Sequence, residues 1–394
     1  MPIGVFVLAA AVFAQGTSEF MMSGLLARTA ADFGLSLGTV GLLTSVYAVG
    51  MVLGAPTMAA TAGRWPLRRS ATTFLALFCL THMVGAVTTD FTVLVATRVV
   101  AAAANAGFLS IVLAALPRLV GPALVGRATS IIVSGVTVAC IAGVPAGTLL
   151  GQLWGWRAAF WAVAVVSAVV LVPVAVKVPR DGAEEGASDR SMRSEWAVLG
   201  VRAVRSAVVV GILVNAATFA AFTYLGTIAA EIAGTTGVWV PLVLALFGLG
   251  SFVGVTLTGR YSDRHGRSII TAGTVGLVGV WALAALAAYT MAGVAVMTLL
   301  TGAAAFGVGS ALIATIVQTA APTAPRLAGA LATTALNLGA VLGPVVAGVA
   351  VDRAQTPVAA LWCAAGAAAV AAVIVLFDRT RRGPVVDAVG AGAR

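Results

Sequence analysis

The 394-residue chain is 60% hydrophobic and only 9% charged, with a mean hydropathy of +1.07 and a formal net charge of +10. A soluble domain carries about 25% charged residues, so this composition excludes a mostly wetted surface and points to lipid as the solvent. The surplus of cations needs no nucleic acid partner, because cations spread over loops suit a membrane face rich in anionic lipid.

Taken in chain order, twelve apolar stretches are read at 3–26, 39–60, 70–89, 91–116, 128–150, 157–177, 207–230, 238–258, 268–290, 293–316, 327–350 and 356–377. Each is long enough to cross a ~30 Å hydrocarbon core, and the predicted fold class is therefore an all-α integral membrane protein of twelve transmembrane helices. The close pairs 70–89/91–116 and 268–290/293–316 require short hairpins. The first stretch lacks a basic n-region, so it is read as a span and not as a cleaved signal peptide. Cys79, Cys140 and Cys363 lie inside spans and are odd in number, which suits small apolar packing better than a disulfide framework.

With the N-terminus inside, cytoplasmic loops and the tail hold 19 of the 23 Lys and Arg, outer loops hold 3, and Arg98 lies within a span. This asymmetry predicts a multi-pass protein of the cytoplasmic (inner) cell membrane with both termini cytoplasmic. The polar stretch 178–206 splits the spans six and six: an N-terminal bundle over 1–177, a cytoplasmic linker, a C-terminal bundle over 207–378 and a tail over 379–394. The halves echo one another at an offset of 200 residues, with Gly54 matching Gly254, Arg64 matching Arg264, Gly107 matching Gly307, and Gln15 matching the amide of Asn215. Repeated halves with a site between them near the midplane are the architecture of secondary transporters.

Glu19 stands out because it is the one charge in the first apolar stretch. A charged group at the centre of a membrane helix costs about 2.5–3.5 kcal/mol on insertion scales and normally faces a protein interior or watery cavity. Arg98 in the fourth stretch is its counterpart. At 1.5 Å per residue the two lie within roughly 6 Å of each other in depth, so a direct or water-bridged pair is expected, with a purely structural ion pair as the bland alternative. Gln15 is one turn from Glu19, and Asn105 is seven residues after Arg98, so each pair shares a helical face. Asn215, Thr218, Phe219 and Phe222 recur at helical spacing on the seventh stretch. Together these residues offer a few polar groups in an apolar, aromatic pocket, the usual make-up of a small-molecule site, although amides also bond across helices and Phe also packs. His82 is expected to be a packed neutral histidine, and Asn337 is either packing or cavity.

Three local patterns remain. Gly259-Arg-Tyr-Ser-Asp263-Arg264-His-Gly266-Arg267 lies between the eighth and ninth stretches, while the equivalent first-half segment has Gly63 opposite Asp263. Leu94-Val-Ala-Thr-Arg98 through Asn105-Ala-Gly107 surrounds the buried cation. Gly143-Val-Pro145-Ala-Gly147 recurs in theme as Gly339-Ala-Val-Leu-Gly343-Pro344. These resemble motifs A, B and C of the major facilitator superfamily, the last of them in a degenerate form with Val144 where Gly often occurs. The stretches Ala11–Met21, Gly41–Ser45, Ala48–Pro56, Gly155-Trp-Arg157, Thr218–Phe222 and Ala335-Leu-Asn337 are similar to the superfamily's chloramphenicol resistance efflux proteins.

The resemblance implies two pseudo-symmetric six-helix bundles whose first, fourth, seventh and tenth helices line a central cavity. It implies that motif A latches helices at the cytoplasmic face, that the motif B Arg takes part in proton transfer, and that motif C marks drug:proton antiport. Glu19 and Arg98 are the expected proton-coupling pair, and Gln15, Asn105, Asn215, Thr218, Phe219 and Phe222 the expected substrate contacts. The expected partners are protons, the bilayer and a small, largely neutral drug, with a proton gradient in place of any cofactor and a monomeric chain. Export of a sugar or other metabolite, passive facilitation, and a non-transporting receptor or scaffold are the alternatives. An enzyme is not expected, since no Ser/His/Asp or metal-ligand cluster is present and the chain has only two histidines.

Overall fold

In lipid every backbone polar group must be satisfied within its own segment, which favours helices. The computed structural model describes the chain except residues 63–64, 122–123, 180–195, 235–236, 321, 323, 325–326 and 382–394; for 55–62, 114, 117, 125–126, 196, 261–267, 327, 330 and 379–381 it describes the backbone alone. Among the described residues twelve helices are long and apolar enough to cross a membrane: Ile3–Phe20, Leu37–Gly54, Leu67–Val87, Phe91–Leu113, Arg127–Trp154, Trp156–Lys177, Arg202–Ala233, Trp239–Arg260, Ser268–Ala287, Met291–Ala320, Leu331–Ala354 and Ala359–Asp378.

Some boundaries differ from the sequence reading. The first helix is followed at once by a second, Met22–Phe33, which ends at Gly34 in the left-handed conformation (φ 64°), a common helix stop because glycine has no Cβ to clash. The seventh span starts at Arg202, directly after a 3₁₀ turn over Trp196–Gly200. One helical element, Trp239–Ala287, carries both the eighth and ninth spans where a loop was expected. Phe247 and Trp281 nevertheless line one cavity; on a straight helix they would stand about 50 Å apart, so the two spans run side by side.

The duplication is visible as repeated close packing. A Cβ added to Gly50 would stand 2.4 Å from the Val99 carbonyl oxygen, and one added to Gly250 would stand 2.1 Å from that of Leu299. At Gly54 it would meet Ala103 Cα at 2.4 Å, and at Gly254 the Ala303 carbonyl oxygen at 2.0 Å. All four positions are displaced by 200 residues. In the same way the fifth span crosses the first at Gly135, and the eleventh crosses the seventh at Gly339 and Gly343. Small residues let backbones approach where lipid supplies no hydrophobic drive between helices.

At one end of the N-terminal bundle, Arg157 Nη1 and Trp156 Nε1 donate to the Asp32 carboxylate, the latter at 3.1 Å. The Arg157 bond first, and the Trp156 bond second, hold the Asp32 carboxyl below the usual carboxylate range. The pair is about a third or more exposed on both sides (32% and 43%), so its contribution is about 1 kcal/mol at most. A depressed carboxylate stabilises above its unfolded value of about 3.9, and that contribution is lost as pH falls through the lower folded value. D32N is expected to melt slightly below the parent protein at pH 7, with the difference closing in acid and in high salt; scanning fluorimetry reads it.

Candidate functional site

The first span is apolar up to Gln15-Gly-Thr-Ser-Glu19, where polar residues collect on a segment that four neighbouring spans enclose. Ser18 is fully buried. Arg98 of the fourth span donates from Nη1 to Ser18 Oγ (2.8 Å) and from Nη2 to the Ser18 carbonyl (3.0 Å). Its guanidinium lies 4.2 Å over the Tyr47 ring of the second span. Asn105, two turns along from Arg98, donates from Nδ2 to Tyr47 Oη (3.1 Å). The Glu19 carboxylate faces the charge of Arg98 and the amide of Asn105, with Cys140 approaching from the fifth span.

The structure thus brings Arg98 to the residue next to Glu19, but not into a direct ion pair with it. Among the described residues the ion pairs are Arg157–Asp32 and Arg202–Asp378. The physical reason is that a buried guanidinium must place several donors at once. The Ser18 hydroxyl and carbonyl take two of them, and the Tyr47 face provides a further favourable contact.

His82 of the third span, expected to be packed and peripheral, is fully buried against this cluster. Its Nε2 lies 2.6 Å from Ser18 Oγ, and its Nδ1 lies 2.7 Å from the Phe78 carbonyl. A carbonyl only accepts, so Nδ1 carries the proton; the neutral ring then accepts at Nε2 from the Ser18 hydroxyl.

Gln15 is also fully buried, and neither its Oε1 nor its Nε2 has a hydrogen-bond partner among the described residues. One turn from Glu19, it holds both a donor and an acceptor unspent.

The residues expected on the seventh span are used differently. Asn215 Nδ2 donates to the Leu336 carbonyl (2.5 Å), because the eleventh span crosses so closely at Gly339 that its backbone comes within reach. Thr218 Oγ1 donates to Val214 of its own helix (2.9 Å), and Asn337 Nδ2 to Thr333 of its own (3.0 Å). Phe219 and Phe222 are buried against Phe20, with ring centroids 5.9 and 5.7 Å away, and Phe222 packs on Phe247 at 4.9 Å. In this conformation the aromatic face is closed by packing between the two halves.

Further bonds join the halves. Asp352 accepts from Ser36 Oγ (2.7 Å) and from the Gly38 amide (3.0 Å) at the start of the second span, and Ser45 Oγ donates to the Val341 carbonyl (2.8 Å). Ser23 Oγ donates to the Phe222 carbonyl.

In the fifth span, Ala139–Gly143 form a π-helical turn directly before Val144-Pro145. Pro145 has no N–H to continue the ladder, which explains the local widening. The turn's backbone meets Gly248 of the other half, where an added Cβ would stand 2.6 Å from the Cys140 carbonyl oxygen. A Cβ on Gly143 would collide with Thr17, whereas one on Gly147 would have only ordinary contacts at 3.9 Å. G143A is therefore expected to lower folded yield and melting temperature, by about 1–3 kcal/mol of overpacking, while G147A is close to neutral; size-exclusion profiles and thermal melts of the two compare them. Gly259 of the motif A segment is exposed, with nothing near it; the side chains of Asp263, Arg264 and Arg267, with Gly266, lie outside the described residues.

Sequence reasoning missed Ser18, Phe20 and Tyr47. The first two carry a signal as the immediate neighbours of Glu19, whereas Tyr47 carries none.

A comparison with protein families matches residues 8–330 to the Major Facilitator Superfamily. The chain belongs to this superfamily. Over 382 residues it is 45% identical to the chloramphenicol resistance protein of Streptomyces lividans, covering 96% of this chain and 97% of that protein. It is 31% identical over 346 residues to the inner membrane transport protein YdhP of Escherichia coli, covering 88% of each. Among solved structures, the nucleoside transporter NupG superposes with a TM-score of 0.78 at 13% identity, covering 95% of this chain and 98% of that one. A bacterial homologue of the lysosomal transporter Spinster gives 0.73 at 15% identity, covering 95% and 94%. The protein is thus a multi-pass major facilitator transporter and not an enzyme.

Proposed function

We propose that the protein exports a small, largely neutral drug, chloramphenicol or a chemically similar compound, in exchange for protons by alternating access. One observation carries the proposal: a half-buried carboxylate, Glu19, on the first span beside a buried cation that is held next to it without being bonded to it. The 45% identity to a chloramphenicol resistance protein over nearly the full length supports the substrate class.

Substrate entering from the cytoplasm favours loss of the Glu19 proton; once substrate leaves outside, Glu19 is reprotonated. Arg98 is the fixed cation that makes the ionised state tolerable. Gln15, with a free donor and a free acceptor, and Asn105 are the polar substrate contacts, and a site with one acid and one base suits an uncharged ligand. Asn215, Thr218, Phe219 and Phe222 become available as the packed halves separate. The Asp352 bonds to Ser36 and Gly38 close the face that we assign to the outside, and the motif A and motif C segments act as conformational elements. The charge asymmetry of the loops supports a reading with both termini in the cytoplasm and the chain in the cytoplasmic membrane, and the transport unit is taken as a monomer.

Expression in a drug-sensitive host tests this reading. Chloramphenicol tolerance should rise and should collapse when an uncoupler dissipates the proton gradient. Tolerance that ignores the uncoupler would sink the antiport reading, and flux of sugars without drug tolerance would move the substrate class.

A further inference from the structure

We propose that His82, acting through Ser18, is a positioning residue that holds Arg98 against the first span and so limits how closely Arg98 approaches Glu19. The inference rests on the proton-coupling reading of Glu19 for its transport consequence, and on geometry alone for the linkage itself.

The linkage is a directed chain of hydrogen bonds across three helices. Arg98 Nη1–H donates to Ser18 Oγ, the Ser18 hydroxyl donates to His82 Nε2, and His82 Nδ1–H donates to the Phe78 carbonyl of its own helix. Each bond fixes the next. The Phe78 carbonyl sets the tautomer, the tautomer leaves Nε2 as an acceptor, and that acceptor turns the Ser18 hydroxyl so that its lone pairs face Arg98. Phe78 and Phe160 pack on the imidazole, with ring centroids 4.2 and 5.7 Å away, and keep it from turning.

Groups from the neighbouring spans face this chain among the described residues. They are Ser18 and Glu19 from the first span, Tyr47 from the second, Asn105 from the fourth and Cys140 from the fifth, while Phe160 of the sixth presents only a ring. Glu19 is the acid among them. A guanidinium released from Ser18 Oγ therefore has one new charged partner to reach, which is the Glu19 carboxylate. A direct Arg98–Glu19 pair favours ionised Glu19, so it moves the pH profile of proton-driven efflux toward acid.

The test uses full-length protein in proteoliposomes with an imposed pH gradient, and the variants H82L, H82Q, S18A and H82L/S18A. H82L and S18A should each move the pH midpoint of efflux toward acid by about half a unit or more, since a new opposite charge at contact shifts a carboxyl by about 1–3 units when fully engaged. The double variant should move it no further than either single one, because both act through one chain. H82Q, which can present an amide oxygen to Ser18, should restore the midpoint. An unchanged midpoint in H82L, or full additivity in the double variant, overturns the proposal.

A second readout does not depend on coupling. The chain has two histidines, so the imidazole nitrogen resonances of ¹⁵N-histidine protein that vanish in H82Q belong to His82. They should report a neutral ring protonated at Nδ1, and the Nε2 resonance should move in S18A and in R98Q. Loss of uphill efflux sensitivity to Glu19 with this spectral linkage intact would sink the coupling reading alone. Nε2 unmoved by S18A would sink the linkage alone.

Discussion

E19Q is expected to bind substrate and carry it downhill but to lose uphill transport altogether. Each pH unit of gradient supports about a tenfold substrate gradient per proton exchanged, equivalent to about 1.4 kcal/mol. A glutamine forfeits all of it, because an amide does not exchange a proton in this range. The substitution is close in shape and still offers an oxygen to Asn105, so the Tyr47–Asn105 pair and the Arg98–Ser18 bonds have no reason to move. Two measurements separate loss of coupling from loss of the protein: substrate counterflow without a gradient should persist, and substrate-stimulated proton release should vanish. Uphill efflux in E19Q would place the proton carrier elsewhere.

The second large effect lies away from the site. A Cβ on Gly254 would stand 2.0 Å from the Ala303 carbonyl oxygen, so any side chain there forces the eighth and tenth spans apart. Overpacking of a well-fitted interface costs about 1–3 kcal/mol, and the obstacle here is backbone that cannot rotate aside. G254V should lower the melting temperature, by about 1 °C per kcal/mol for a chain of this length, and reduce the folded fraction in membranes. G54V should behave likewise through Ala103, its counterpart 200 residues earlier. G259A, at a position with nothing within 4 Å, is the control. Equal melts for G254V and G259A would show that the contact between these spans is looser than described.

The twelve spans were legible because the hydrocarbon core imposes a length that composition reveals directly; most of the polar stretch read as a linker, residues 180–195, lies outside the described residues. Glu19 and Arg98 could be matched in depth from helical rise alone. Their bonding could not, because the choice between Ser18 and Glu19 as partner depends on how the donors of one guanidinium are satisfied, at a scale below one residue of register. His82 looked peripheral because the third helix is; the long fourth-span Arg and the short Ser18 side chain leave room for the imidazole to reach inward. Asn215 looked like a cavity residue since periodicity cannot show that a glycine-lined crossing brings the Leu336 carbonyl to its amide. The connection between the eighth and ninth spans was read as a loop because polar and glycine residues cluster there, whereas the described element is helical from Trp239 to Ala287.

Glu19, its neighbouring cation, the histidine and the tyrosine all belong to the first four spans, while the seventh, eighth and tenth spans contribute Phe219, Phe222, Phe247 and Phe306. The two halves share the same glycine joints, while among the described residues this buried polar cluster lies in the first half alone. On the proposed reading, lineages descended from such a chain can alter what they carry by exchanging aromatic residues in one half and leave the proton-coupling half unchanged. The two properties are free to evolve at different rates.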